Sequence, residues 1–458
     1  MANSLGAAAA PLSPRPQAAD SAERSAAVEQ AAPPGAAAAR RPAPRTRLRR
    51  LLVLLWRSHA LRTAVLYGVS GLGFTGANLI LARFFPTVEF AVFSIALALL
   101  NLASPLAPAG ADAVVNRHQV DPDRHLLRRG VATSAVVGLA TAAVGGVLYE
   151  LTPLVMAIVF AGVVTGGMNV LAAAQFQSMR RFNVSLPLAH AVNFVTLLAA
   201  LVTWGVGVHR AWLPLALLAA GRGLAAAFGW AKLGAEHALR PPSASSRYPW
   251  RDALSLAGVG AAGLLLTQLD RLMIGQLLPA RELATFGVLA AIVGSPFRVL
   301  QMGTGYTLLP RLRAAPDPRA RRRLLLHEGI AVACMVAVAC VTVWYATPLL
   351  VHYMLADKYQ VEQALVVAAL FAGMGKIVEA FAKTVVSALG DSRELTLLGL
   401  VSWGSVVAAV TGGVLGAPWG LLGVVYGVGA GWWLRALLTA WLSLPHLRKL
   451  PATAAPAR

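Results

Sequence analysis

The segment Phe84–Ala98, FFPTVEFAVFSIALA, returns 193 residues later as Leu277–Ala291, LLPARELATFGVLAA. Pro86 falls on Pro279, Glu89 on Glu282, Ala91 on Ala284, Phe93 on Phe286 and, farther on, Gly110 on Gly303, all at one offset without a gap. The shared turn Pro and Glu set this apart from a chance likeness between two Ala-rich helices. The chain reads as two related halves.

Working outward from these copies, apolar runs long enough to cross a bilayer recur from Thr63 to Ser443. About 20 mostly apolar residues suffice for a helix to span the hydrocarbon layer. We place spans at 63–82, 90–112, 130–149, 152–178, 184–206 and 212–233, then at 253–277, 284–309, 328–350, 361–388, 395–415 and 419–443. The composition agrees: 57% of residues are hydrophobic and only 13% charged, against about 25% charged in soluble domains. Period-two alternation is missing, which excludes a spanning barrel. The expected fold is all-α, a polytopic membrane protein of about twelve transmembrane helices in two six-helix bundles related by internal pseudo-symmetry. Six spans per half make both halves enter the membrane in the same direction, so the symmetry axis lies along its normal.

The domain boundaries follow. Residues 1–60 form a basic Ala/Pro/Arg-rich arm, expected to be disordered and cytoplasmic, with no signal-peptide core. Residues 61–240 are the N-terminal bundle, 241–252 a Pro- and Ser-containing linker, 253–445 the C-terminal bundle and 446–458 a cytoplasmic tail.

In a soluble protein a net charge of +21 would suggest a nucleic-acid partner. Here the charges sit in turns, and unevenly. One set of turns holds Arg117, Arg124, Arg128 and Arg129; Arg180 and Arg181; Lys232, Arg240, Arg247 and Arg251; Arg311, Arg313, Arg319 and Arg321 to Arg323; and Arg393. The alternate set holds Arg83, Arg210, Arg281 and Lys358. Basic flanks stay cytoplasmic, so both termini are expected on the cytoplasmic side of the membrane, with no nucleic-acid partner.

An ionised side chain near the bilayer centre costs roughly 2.5–3.5 kcal/mol on insertion scales, so each one asks for a partner, a wet cavity or a function. Eight such positions fall inside the spans: Arg222, Asp270, Arg271, Arg298, Lys376, Glu379, Lys383 and Arg435. Lys376, Glu379 and Lys383 share one helix face, either as a self-neutralising ladder or as ligand contacts. Asp270 and Arg271 are adjacent and point about 100° apart, so each needs another partner. Asp270 is expected to neutralise a basic residue of a neighbouring span. Arg298 follows Pro296, which disturbs its helix, and is the leading ligand candidate. Arg222 and Arg435 occupy comparable places in the last span of each half, where snorkelling to the cytoplasmic end is the simpler reading. With six basic residues against two acidic ones, a shared cavity between the bundles would be cationic and its guest anionic. Phosphate groups suit both guanidinium forks and ammonium point charges.

Other polar positions, Asn78, Asn169, Gln175, Asn193, Gln268 and Gln301, read first as helix–helix glue, and His190 as a hydrogen-bonded packing residue. Gly68, Gly71, Gly73 and Gly76 are expected to allow close helix packing. Cys334 and Cys340 lie six residues apart in one helix and point away from each other, so neither a disulfide nor a metal site is expected. The stretch AGMGKI at 372–377 lacks the spacing and the following Ser or Thr of a nucleotide-binding loop. No cofactor, metal or catalytic residue is expected, and no long polar loop offers room for a catalytic domain.

The stretches GANLILARFFPTVEFAVFSIALALLNLASPLAPAGADAVVNR (76–117), LDRLMIGQLLPARELATFGVLAAI (269–292) and LADKYQVEQALVVAALFAGM (355–374) resemble the polysaccharide-transport (O-antigen and exopolysaccharide) flippases of bacterial envelopes. The resemblance extends over residues 62–445. It marks the superfamily that also holds multidrug and toxic-compound extruders and lipid II flippases. It implies translocation of a polyprenyl-diphosphate-linked oligosaccharide across the bacterial cytoplasmic (inner) membrane by alternating access, for surface polysaccharide synthesis. It also implies three partners: the bilayer, the anionic lipid-linked oligosaccharide, and the polysaccharide polymerase and glycosyltransferases of the same process. The charge argument then assigns substrate binding to Arg298, Lys376, Lys383, Arg271 and Arg222, and charge pairing or coupling to Asp270 and Glu379. The alternatives are a cation-coupled multidrug extruder of the same superfamily and a membrane-embedded polysaccharide polymerase.

Overall fold

The computed structural model describes residues 59–118, 120–237, 249–315 and 317–448. The arm before His59, most of the 241–252 linker and the tail beyond Arg448 lie outside them. Among the described residues twelve long helices form two lobes of six. The N-terminal lobe holds α1 (His59–Phe84), α2 (Thr87–Leu106), a short α3 (Ala111–His118), α4 (Arg124–Tyr149), α5 (Pro153–Ser178), α6 (Phe182–Val206) and α7 (Trp212–His237). The C-terminal lobe holds α8 (Trp250–Leu277), α9 (Ala280–Ala314), α10 (Pro318–Leu355), α11 (Gln363–Leu389), α12 (Ser392–Gly416) and, after a 3-10 turn, α13 (Gly420–Arg448). The expected all-α, two-lobed membrane architecture is the observed one.

The repeat has a structural counterpart. Pro86 and Pro279 are the N-caps of α2 and α9, both in extended backbone, and Glu89 and Glu282 lie in the first turns. A Pro there gives up no helical hydrogen bond, and an acid there meets the positive end of the helix dipole. Farther along, the likeness ends. Helix α2 stops at Leu106, and the turn that follows has left-handed residues Ala109 and Gly110, whereas α9 runs unbroken through Gly303 to Ala314. Gly110 earns its place: a Cβ there would stand 2.0 Å from the Ala253 carbonyl oxygen of α8. The span expected at 90–112 is thus a shorter helix, a tight turn and the start of α3.

Asp123, Asp317 and Asp391 cap α4, α10 and α12, each accepting from a backbone N–H three residues on. A buried Phe/Leu/Ala seam joins the lobes, with α1 and α2 against α8, α9 and α10. Helix α2 is its centre, with 67% of its apolar window buried, while α10, at 11%, turns almost wholly outward. Of the α1 glycines, Gly73 and Gly76 pack on Asn193 and Leu197 of α6 at ordinary contact distance, and a Cβ on Gly68 would meet nothing within 4 Å. Tighter contacts join α12 and α13, where Gly412 and Gly416 press on the backbones of Gly427 and Gly423.

At the Arg-poor ends of the helices the lobes are tied by a reciprocal clasp. Lys358, beyond the end of α10, donates to the carbonyls of Ala82 (2.9 Å), Arg83 and Phe85 at the end of α1, and the Tyr359 hydroxyl donates to Ala82 O at 2.9 Å. In return Arg83 donates to the carbonyls of Tyr353 (3.2 Å) and Met354 (3.0 Å), in the last turn of α10. The last carbonyls of a helix lack intrahelical donors and carry the negative end of its dipole, so a cation from the facing lobe caps each. Burial lowers the Lys358 ammonium below, and raises the Tyr359 phenol above, their ordinary ranges. Tyr149 and Gln276 add further ties, from the hydroxyl to Leu272 O and from the amide to Leu148 O.

Candidate functional site

Seven of the eight embedded charges meet in the C-terminal lobe. Helices α8, α9, α11 and α13 enclose two adjoining cavities. The deeper and smaller is lined by Asp270 and Arg271 of α8, Arg298 of α9 and Lys376 of α11, with Phe286, Phe297 and small residues as walls. The second and larger is lined by Glu379 and Lys383 of α11, Trp432 and Arg435 of α13 and again Arg298. Thr267, Arg298 and Gln301 line both, so the two form one chamber. Leu309 and Ser387, near the ends of α9 and α11, place the larger cavity toward the Arg-rich face, as its mouth.

The pairing differs from a ladder along α11. Lys376 Nζ lies 3.6 Å from Asp270 Oδ2 and 5.2 Å from the Trp432 ring centroid. Glu379 faces Arg435, at 3.0 Å from Oε1 to Nη2, and neither lysine of its own helix pairs with it. That contact is one of charge without hydrogen-bond alignment, since Glu379 Oε1 and Arg435 Nη1 have no hydrogen-bond partner. Arg298 sits over the ring of Phe74, 5.1 Å from its centroid, which brings α1 of the other lobe to the chamber wall. Arg271, Arg298 and Lys383 have no ion-pair partner among the described residues. Five positive and two negative side chains leave three positive charges in excess. A buried unpaired cation in a confined space costs free energy that a polyanion would recover.

Three expectations change. The charges converge within the C-terminal lobe rather than between the bundles. Arg222 lies apart, in the N-terminal lobe, donating to Ser104 Oγ (2.8 Å) and Asn101 Oδ1 (3.3 Å). Neither Arg222 nor Arg435 snorkels, for they are 4% and 3% exposed. Trp432, three residues before Arg435 and so on the same helix face, was the sequence signal that α13 turns its arginine inward.

Asn169, Gln175 and Asn193 act as glue, donating to Leu188 O, Val120 O and Ser70 Oγ of other segments, whereas Asn78 donates to Phe74 O of its own helix. His190 contacts Ser70 Oγ at 3.4 Å. Pro296 cannot donate to Ile292 O, and beside that gap Thr75 of α1 donates to Ala291 O and meets Ser295 Oγ.

No family model matches this sequence, and no curated protein does. Solved structures do share the fold. An inward-facing multidrug resistance MATE family transporter of the MOP superfamily superposes with a TM-score of 0.59 over 85% of this chain and 100% of its own, at 12% identity. Lipid II flippase MurJ, in an inward closed conformation, gives 0.62 over 84% and 91% at 9% identity. MATE in a bent conformation gives 0.52 over 86% and 97% at 13%. At such identities the likeness is one of fold.

Proposed function

We propose that this chain is a flippase that carries a polyprenyl-diphosphate-linked oligosaccharide across the bacterial cytoplasmic membrane by alternating access, for surface polysaccharide synthesis, and does no covalent chemistry. The observation that carries this reading is the excess of positive charge in a chamber lined by four helices. Arg271, Arg298 and Lys376 hold the diphosphate, because guanidinium forks and an ammonium together suit phosphate oxygens. Arg298, common to both cavities, is the central contact. The Arg-rich face is cytoplasmic by the positive-inside rule, so the mouth opens where a lipid-linked precursor would be assembled. Polysaccharide polymerase and glycosyltransferases are the expected neighbours in the process.

The test is Arg298→Ala in a cell that depends on this gene for its surface polysaccharide. Polysaccharide should vanish while the folded protein persists in the membrane. Normal polysaccharide in that variant refutes the assignment.

A second reading, a cation-coupled drug extruder, draws on Asp270 and Glu379, two carboxylates buried in the same chamber. Each already faces a cation, Lys376 or Arg435, which leaves no negative charge for a cationic drug. Deletion that changes drug susceptibility with polysaccharide intact would reverse the ranking.

A further inference from the structure

The charges of the chamber are not spread evenly. The deep cavity sets Arg271, Arg298 and Lys376 against Asp270 alone. The mouth adds Arg435, Glu379 and Lys383, and the first two neutralise each other at 3.0 Å. A diphosphate diester carries one negative charge on each phosphate, so the deep group, three cations and one carboxylate, matches it charge for charge. Lys383 remains over.

Its position suits a second anionic group. Lys383 lies one helical turn beyond Glu379 on α11, toward the Arg-rich face, and has no ion-pair partner among the described residues. Around it the mouth offers Gln301, Thr384 and Ser387, and Arg313 reaches the rim to donate to Ser387 O at 3.2 Å. Amide and hydroxyls are the groups that meet sugar hydroxyls. The mouth is also the roomier of the two cavities.

We propose that the mouth is a saccharide subsite that selects an acidic sugar, Lys383 pairing with a carboxylate carried by the sugar unit next to the diphosphate. This rests on the diphosphate reading of the deep cavity. A cargo that fills both stations brings three negative charges to three unmatched positive ones, whereas a neutral sugar leaves the Lys383 ammonium without a counter-charge. Lys383 is exposed, so solvent screening reduces the gain from a fully buried pair to about two- to fivefold in affinity.

The experiment uses the full chain in lipid nanodiscs and three probes: geranylgeranyl diphosphate, the same diphosphate carrying glucose, and the same carrying glucuronic acid. The glucuronyl probe should bind about two- to fivefold more tightly than the glucosyl one, and Lys383→Gln should erase that difference. Gly260 lines the mouth, and a Cβ there meets nothing within 4 Å. Gly260→Leu should therefore plug the mouth without disturbing the fold, weakening both glycosyl probes and sparing the unglycosylated one. Equal binding of the two glycosyl probes to the native protein, or a preference that survives Lys383→Gln, overturns the acidic-sugar inference alone. Absence of binding by all three probes, or indifference of all three to Arg298→Ala, overturns the diphosphate reading and this inference with it.

Discussion

Replacing Glu379 with Gln should be among the most damaging single changes in the C-terminal lobe. Glu379 and Arg435 are 2% and 3% exposed and face each other at 3.0 Å. Removing one partner of a buried pair typically costs about 3–5 kcal/mol, because the other charge is left uncompensated. Here the orphan would be a guanidinium whose Nε and Nη1 already lack hydrogen-bond partners. Arg435→Met should cost less, since Lys383, four residues on in α11, can turn toward the freed carboxylate. Changing both, Glu379→Leu with Arg435→Met, should return stability to near the native value, as apolar replacement of a buried pair often does. Thermal unfolding of detergent-purified protein, followed by tryptophan fluorescence, reads the effect. About 1 kcal/mol moves the midpoint of a 150–250-residue domain by 2–4 °C and that of a larger chain by less, so Glu379→Gln should lower it by roughly 4–6 °C. A midpoint within 1 °C of native for Glu379→Gln, or a double variant no better than the single, would refute the reasoning.

Two further outcomes are expected. Lys358→Ala combined with Arg83→Ala should loosen the clasp, so that a cysteine introduced at Ala290, in the deep cavity, reacts severalfold faster with a membrane-impermeant thiol reagent added from the Arg-poor side; an unchanged rate would show that the clasp does not close that face. Gly416→Ala puts a Cβ 2.2 Å from Gly423 O, a backbone atom that cannot step aside, and should cost about 1–3 kcal/mol, whereas Gly294→Ala meets nothing within 4 Å and should gain up to about 1 kcal/mol of helix propensity; equal melting shifts for the two would contradict the packing described.

Most of the fold was legible because it rests on one-dimensional signals. Apolar length gives the spans, and the Pro and Glu of each copy mark where α2 and α9 begin. The break at Gly110 was hidden, since nothing in the repeat says that one copy must yield to the approaching backbone of Ala253 while the other runs on through Gly303. Which residues carry charge in the membrane was also legible, because few charges are there to choose from. Their partners were not. Glu379 could have met Lys376 or Lys383 along its own helix, and it meets Arg435 because α13 packs on α11 at a register that no spacing within either helix reveals. Arg222 and Arg435 look alike in sequence, yet one finds Asn101 and Ser104 and the other a carboxylate, so the two lobes differ in character at corresponding places.

The caps exchanged at the ends of α1 and α10 bear on how the protein could change shape. Each cation belongs to one lobe and its acceptors to the other, so parting the lobes breaks both sets of contacts in the same movement. Arg83 and Lys358 face solvent, so water takes over each group as it is uncovered. A latch of this kind is easily released, and it fixes which two leaves meet more than how firmly they hold.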